Sequence, residues 1–322
     1  MKKIVFVSCL LLLAACQSKD KKTKAFVPQS SGNINNVVVV MPEEDWHGSL
    51  GSTVRDVMQV PYEGLPTDEP QFSVSFLNPK AFSGFTRQSR NLIWFQKDSI
   101  SRFQLIKNRF AKPQILANIT GEDTDIQSFN IKENAALLRQ TMAENERIEK
   151  LRRIKKSRSK KTELSKRFGI DLIYPTAYQT LVDTTNFTWI QKQVQKGHLN
   201  LIIYTLPLTS LDGTLNERII KIRDSIGKLR VPGRLDGSYL ITEKAFRPYF
   251  YKTILDNKTA YLTKGTWEVK NDFMAGPFIN YMVKDTINKK WLVLEGFTFA
   301  PSMSKRDYMF ELNTIIGTLK TR

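Results

Sequence analysis

Cysteine, histidine, acidic residues and long apolar runs are all scarce in this chain. Only two of the 322 residues are cysteine, Cys9 and Cys16, and both lie within the first sixteen. Beyond Cys16 the chain has no means of making disulfides, thiol nucleophiles, Cys-ligated zinc or iron–sulfur clusters. The two histidines, His47 and His198, are too few for a multi-histidine metal site, and no cofactor is expected. A Ser-His-Asp triad would have to use one of them. His47 sits in Trp46-His47-Gly48-Ser49, without the Gly-x-Ser-x-Gly elbow, and His198 reads as a turn before a strand. Carboxylates number 31 against 49 lysines and arginines, a formal charge of +18. Hydrophobic residues at 41% and aromatics at 11% exclude disorder or collagen-like repeats as the main state.

The longest apolar stretch, Ile4 to Ala15, is broken by Ser8 and Cys9 and falls short of the roughly 20 residues a membrane-spanning helix needs. With the basic start Met1-Lys2-Lys3 it fits an export signal. It ends in Leu13-Ala14-Ala15-Cys16, which resembles the lipobox of bacterial lipoproteins. That resemblance implies removal of residues 1–15 and acylation of Cys16, with each buried methylene contributing roughly 0.8 kcal/mol to anchoring. Residues 16–36 are polar and rich in Lys and Ser, and read as a lipidated flexible tether spanning roughly 25 Å. Gln17 rather than aspartate after the cysteine points to the outer membrane. The basic Ser18-Lys19-Asp20-Lys21-Lys22 favours a periplasm-facing body over surface display.

Strand-like and helix-like segments then alternate without regular βαβ order, which predicts an α+β fold with mostly antiparallel sheets in two β-rich flanks. The flanks are an N-terminal α+β half, 37–125, and a C-terminal α+β half, 169–322, compatible with two diverged copies of one unit. Between them, residues 126–168 contain neither proline nor glycine and read as a long basic helical arm, one helix or a helical hairpin. Ile131, Ala135, Leu138, Met142 and Asn145 mark one face of it, continued on a shifted stripe by Ile148, Leu151 and Ile154.

Several phrases occur together: Trp46-x-Gly48, Gly64-Leu65-Pro66-x-x-Glu69-Pro70-x-Phe72, Arg90-Asn91-Leu92-Ile93, Gly237-Ser238-Tyr239, Gly276-Pro277-Phe278 and Glu295-Gly296-Phe297-x-x-Ala300-Pro301. Their order and spacing resemble the DUF4837 family of Bacteroidota lipoproteins over nearly the whole mature chain. The resemblance implies an envelope lipoprotein. The family has no assigned activity, so the resemblance implies no catalytic residues.

Two constellations remain. Alternation along the strand from Trp291 puts Val293, Glu295, Phe297 and Phe299 on one face, so Glu295 is an acid embedded among aromatics. Buried without a cation it would hold its proton to neutral pH, the basis of an alternative reading as a carboxylate-dependent envelope hydrolase. Paired with Arg or Lys it would be structural. The second constellation is the run from Arg147 to Arg167, where Arg147, Lys150, Arg152, Arg153, Lys155, Lys156, Arg158, Lys160, Lys161, Lys166 and Arg167 face only Glu149 and Glu163, a local charge of +9. Such a concentration is relieved by an anionic partner. An anionic lipid, lipid A or an acidic polymer suits an exported protein. Nucleic acid does not, because the run lacks interleaved aromatics. The sequence thus predicts a non-enzymatic binding or interaction protein held to a membrane by its lipid anchor, with this run contacting anionic surfaces or partners.

Overall fold

A computed structural model describes residues 26–208 and 214–322. The architecture is α+β, and it is built on two sheets of different character. The signal, Cys16 and the first part of the tether lie outside the described residues.

The N-terminal sheet has the order β2 (Ser73–Leu77), β1 (Asn36–Val40), β3 (Asn91–Lys97), β5 (Ile115–Gly121), β4 (Arg102–Lys107). The first three pairings are parallel and only β4 joins antiparallel. Parallel strands are buried on both faces, which is why Val37, Val39 and Val40 follow one another with no polar alternation. One face carries Val37, Val39, Ile93, Phe95 and Ile119 against α2 (Ser49–Met58), α3 (Thr124–Glu133) and α4 (Ala135–Lys155). A short helix, α1 (Glu43–His47), leads into α2. On the other face Val40, Leu92 and Leu116 are covered by Phe82.

The larger sheet is antiparallel throughout. Its order is β10 (Tyr239–Thr242), β12 (Lys258–Lys270), β13 (Ala275–Asp285), β14 (Lys290–Phe299), β9 (Gly197–Pro207), β8 (Phe187–Val194), β7 (Gln179–Thr184), and β11 (Tyr249–Leu255) pairs with β12. Helices cover both faces. On β14, Leu292 and Leu294 pack towards α7 (Arg306–Ile316), while Trp291, Val293 and Phe297 lie on the side of α6 (Leu215–Arg230). A Cβ on Gly296 would come within 2.9 Å of the Leu312 Cβ, so the glycine lets α7 approach the sheet. Because one half is largely parallel and the other wholly antiparallel, the flanks are not copies of one unit.

The central helical segment is three helices, not one or two. It breaks at Asn134, whose side chain bonds back to the Asn130 carbonyl at 2.8 Å, and again between α4 and α5 (Glu163–Phe168). In the second break the chain pairs with residues 174–176: the Ser159 amide donates to the Tyr174 carbonyl at 2.8 Å and the Thr176 amide to the Ser157 carbonyl at 2.7 Å. The buried face of α4 follows one continuous stripe, Leu138, Met142, Asn145 with Glu146, then Glu149. Of the shifted stripe expected from Ile148, Leu151 and Ile154, only Ile154 is buried and Leu151 is half-buried, while Ile148 is 49% exposed.

The stripe turns polar because it meets Arg90, which lies buried at the mouth of β3. The Arg90 Nε is 2.7 Å from Glu146 Oε1, its Nη1 is 4.0 Å from Glu149, and its Nη2 donates to the Gly32 carbonyl at 3.1 Å. Asn91 donates to the same Glu146 oxygen at 2.6 Å. Removing one partner from a buried pair strands the other, so Arg90→Ala is expected to lower the free energy of unfolding by about 3–5 kcal/mol in urea titrations. A loss below about 1 kcal/mol, the scale of a surface ion pair, would contradict this role.

Candidate functional site

Glu295 is fully buried on the central strand of the antiparallel sheet, on the aromatic face that the alternation of β14 predicts. It has a cation. Arg223 of α6 places Nη2 2.8 Å from Glu295 Oε1, and Asn280 of β13 donates to Oε2 at 2.9 Å. The guanidinium lies 3.8 Å above the Phe278 ring, and its Nη1 donates to Thr242 Oγ1 at 2.9 Å. Burial pushes the Glu295 carboxyl up, and Arg223 with Asn280 offsets part of that rise. The nearest second carboxylate on this network is Asp224, 3.7 Å from the other side of the same guanidinium. The two acids therefore bracket an arginine rather than a space for substrate, and α6 roofs the arrangement.

A buried pair of this kind is costly to break and cheap to replace whole. Arg223→Met alone is expected to destabilise by about 3–5 kcal/mol, and the double change with Glu295→Leu by clearly less than either single change predicts. Additive losses in the double-mutant cycle would show that the two side chains do not depend on each other.

The basic run separates into two groups. Five members are already paired within the chain: Arg147 with Glu144 at 2.7 Å, Lys150 with Glu311 at 2.9 Å, Arg152 and Arg153 with Glu149 at 2.7 and 2.8 Å, and Arg167 with Asp183 at 2.7 Å. Glu311 also receives Lys192 at 2.7 Å and the Tyr178 hydroxyl at 3.1 Å. Burial would raise the Glu311 carboxyl, but Lys150 and Lys192 hold it below its usual range. Burial also opposes ionisation of Glu149, yet hydrogen bonds from Arg152 and Arg153 draw it from 4.5 to about 2.

A carboxyl depressed in the folded state stabilises above its unfolded value and loses that contribution as pH falls through the folded one. Between pH 4.5 and about 2 the parent is therefore expected to lose more stability than Glu149→Gln, as read by denaturant titrations at stepped pH. Parallel acid limbs would sink this assignment.

The other six cations, Lys155, Lys156, Arg158, Lys160, Lys161 and Lys166, have no carboxylate partner among the described residues. All but Lys166 line one open cleft of about 580 Å³. Its cationic wall is the turn between α4 and α5. The opposite wall comes from α5 through Leu164 and Ser165, from β6 (Ile170–Asp171), and from Leu172, Tyr174 and Thr176. Arg322 completes the rim, because β15 (Lys320–Thr321) pairs with β6. Arg322 is bound to Asp171 at 2.9 and 3.0 Å. Reasoning from the sequence found the five cations but not Tyr174, Thr176 or Arg322, which only long-range pairing brings to the turn.

His198 is half-buried with Nδ1 2.9 Å from the Asn200 side chain, and burial lowers its pKa. His47 is exposed at the end of α1. Among the described residues no three His, Cys, Asp or Glu side chains converge in a way that suits a metal ion, and no helix is long and apolar enough to cross a membrane.

Two sheets tied together by a docked helix, with a cationic cleft beyond the end of that helix, define an α+β protein. The chain belongs to the family described as a domain of unknown function, DUF4837, whose model matches residues 157–318. Residues 30–155 match a separate model, DUF8532, also a domain of unknown function. The DUF4837 match therefore covers the C-terminal half rather than nearly the whole mature chain. The phrases around Trp46, Gly64 and Arg90 belong to the other unit. The two matches meet in the turn that forms the cationic wall.

No curated protein matches this chain. Among solved structures, the Ran-binding protein Mog1p of Saccharomyces cerevisiae is 9% identical with a TM-score of 0.33, covering 48% of this chain and 90% of its own. LpqN of Mycobacterium tuberculosis, described as involved in cell envelope biogenesis, is 15% identical with a TM-score of 0.30, covering 48% and 83%. A protein of unknown function from Pseudomonas aeruginosa, PA94, is 10% identical with a TM-score of 0.28, covering 48% and 97%.

Proposed function

We propose that this chain is an envelope lipoprotein of the Bacteroidota, anchored to the outer membrane through Cys16 and facing the periplasm. In this reading it is a binding protein rather than an enzyme, and its basic segment contacts anionic surfaces or partners. The observation that carries the reading is the division of the basic run. Five cations serve as internal clips, while the remaining six, from the end of α4, the turn after it and α5, have no carboxylate partner among the described residues. Concentrated like charge opposes folding through self-repulsion, so an unrelieved cluster is a cost that an external anion removes. Each such cation near an anionic bilayer contributes on the order of 1 kcal/mol, attenuated by salt. The seclusion of Glu295 beneath α6, already neutralised by Arg223, supports a non-catalytic role for it.

The anchor and the surface are tested separately. Cys16→Ala in cells is expected to move the protein out of the salt-washed membrane fraction and to abolish incorporation of labelled fatty acid. A variant with Lys155, Lys156, Arg158, Lys160 and Lys161 all changed to Glu is expected to co-sediment with phosphatidylglycerol vesicles at least tenfold less at low salt, given on the order of 1 kcal/mol per cation. Retention of label by the first variant removes Cys16 as the anchor. Undiminished sedimentation of the second removes the basic segment as the contact.

A further inference from the structure

The geometry points to the cleft between α4 and α5 as a binding site for one phosphate monoester carried on an amphiphilic body. This deepens the anionic-contact reading and rests on it for the sign of the ligand, but it asks for a concave, saturable site in place of a flat charged face.

Four observations converge. The cleft holds about 580 Å³, within the range of small-molecule sites. Five of its cations, Lys155, Lys156, Arg158, Lys160 and Lys161, have no internal partner among the described residues, whereas Asp171, the carboxylate of the lining, is already taken by Arg322 at 2.9 Å. The field inside is therefore positive: Asp171 is neutralised, and Glu163, which acts on Tyr174 from the start of α5, is outnumbered by the five cations.

The cationic turn is also held in place. Backbone hydrogen bonds of 2.8 Å from Ser159 to Tyr174 and 2.7 Å from Thr176 to Ser157 flank Arg158, which forms a bridge with Pro175. A pinned wall loses less conformational freedom on binding than a loose loop.

The chemistry of the walls selects the ligand. Several ammonium groups, a guanidinium fork and nearby hydroxyls outnumber what the two oxygens of a carboxylate accept, and they suit the three oxygens and near-double charge of a terminal phosphate. Leu164, Leu172 and Tyr174 also line the cleft beside that charge, each only 4–6% exposed. A phosphate on an apolar body uses both surfaces. Inorganic phosphate uses one.

The test is calorimetric titration of the full chain in neutral detergent, near neutral pH and at about 0.15 M salt, where diffuse surface attraction is screened. The probes are dihexanoyl phosphatidic acid, inorganic phosphate and dihexanoyl phosphatidylcholine. The expected result is saturation at one equivalent of phosphatidic acid, weaker binding of inorganic phosphate, and no binding of phosphatidylcholine. Inorganic phosphate binding as tightly as phosphatidic acid would overturn the amphiphilic part and point to a soluble phosphate source.

Arg158→Ala with Lys160→Ala is expected to weaken phosphatidic acid roughly tenfold or more, as loss of charged hydrogen-bond donors does. Thr176→Trp keeps every charge but fills the cleft, and is expected to abolish saturation while leaving sedimentation with phosphatidylglycerol vesicles intact. Failure of phosphatidic acid to saturate, or indifference to Thr176→Trp, overturns the cleft. Vesicle binding that persists in that case leaves the broader reading standing. Saturable phosphatidic acid binding without vesicle sedimentation does the reverse.

Discussion

The buried guanidinium of Arg90 is the constraint on which the arrangement of the helices depends. It emerges at the start of a central parallel strand, where no water is available, and α4 supplies both of its carboxylates from successive turns, Glu146 and Glu149. Two acids at i and i+3 share one helix face, so satisfying the arginine fixes the rotation of α4 about its axis as well as its position. Burial pushes the Glu146 carboxyl up despite Arg90, while the added hydrogen bonds from Arg152 and Arg153 keep Glu149 strongly ionised. With rotation fixed, Ile154 points into the core of the other sheet and Lys150 reaches Glu311 of α7. The helix is a tie between the halves, and its charge is largely used internally.

That division explains why so basic a segment folds at all. Arg152, Arg153 and Lys155 occupy the last turn of α4, where cations are favoured by the exposed carbonyls of the helix end. Where carboxylates run out, beyond Lys155, the helix ends too. The chain enters a turn stabilised by backbone pairing with residues 174–176 instead of by side-chain neutralisation. The cations left over collect there because the sequence from Lys155 to Lys161 has no acid, Arg322 occupies Asp171, and Glu163 at the start of α5 makes no ion pair with them among the described residues.

Much of this fold was legible from periodicity, and the failures have a common cause. Alternation in β14 placed Glu295 on its aromatic face, and the β-branched run from Val37 to Met41 reads as a buried strand, as β1 is. The strands β7 and β11 escaped notice because both are edge strands with mixed burial, so neither shows a clean period. The helical boundaries failed where side chains a long way apart decide the matter. Nothing near Ile148 reveals that the buried stripe continues through glutamates, since the reason is Arg90, 56 residues before Glu146. Likewise Arg223 and Glu295 are separated by most of the antiparallel sheet. A lone acid among aromatics reads the same whether it awaits a substrate or a cation, and only the position of α6 decides between them.

The family phrases become intelligible as joints rather than as catalytic signatures. Glu69 accepts hydrogen bonds from the amides of Lys305 at 2.8 Å and Arg306 at 2.8 Å, giving α7 its N-terminal acceptor from the other half of the chain. Arg306 returns the contact through Pro70 and Ser73, and Gly64, at φ +85°, leaves room for Lys264 of β12 at the same seam. The cleft lies apart from this seam, past the C-terminal end of α4. Its cationic wall follows directly from the helix that Arg90 orients, and its other wall is held by the pairing of β6 with the C-terminal strand. A change that loosened α4 would therefore displace the cationic turn without touching a single lysine in it. Stability of the joint and geometry of the cleft are one property of this chain, set by charges buried on one side of α4 and exposed just past its end.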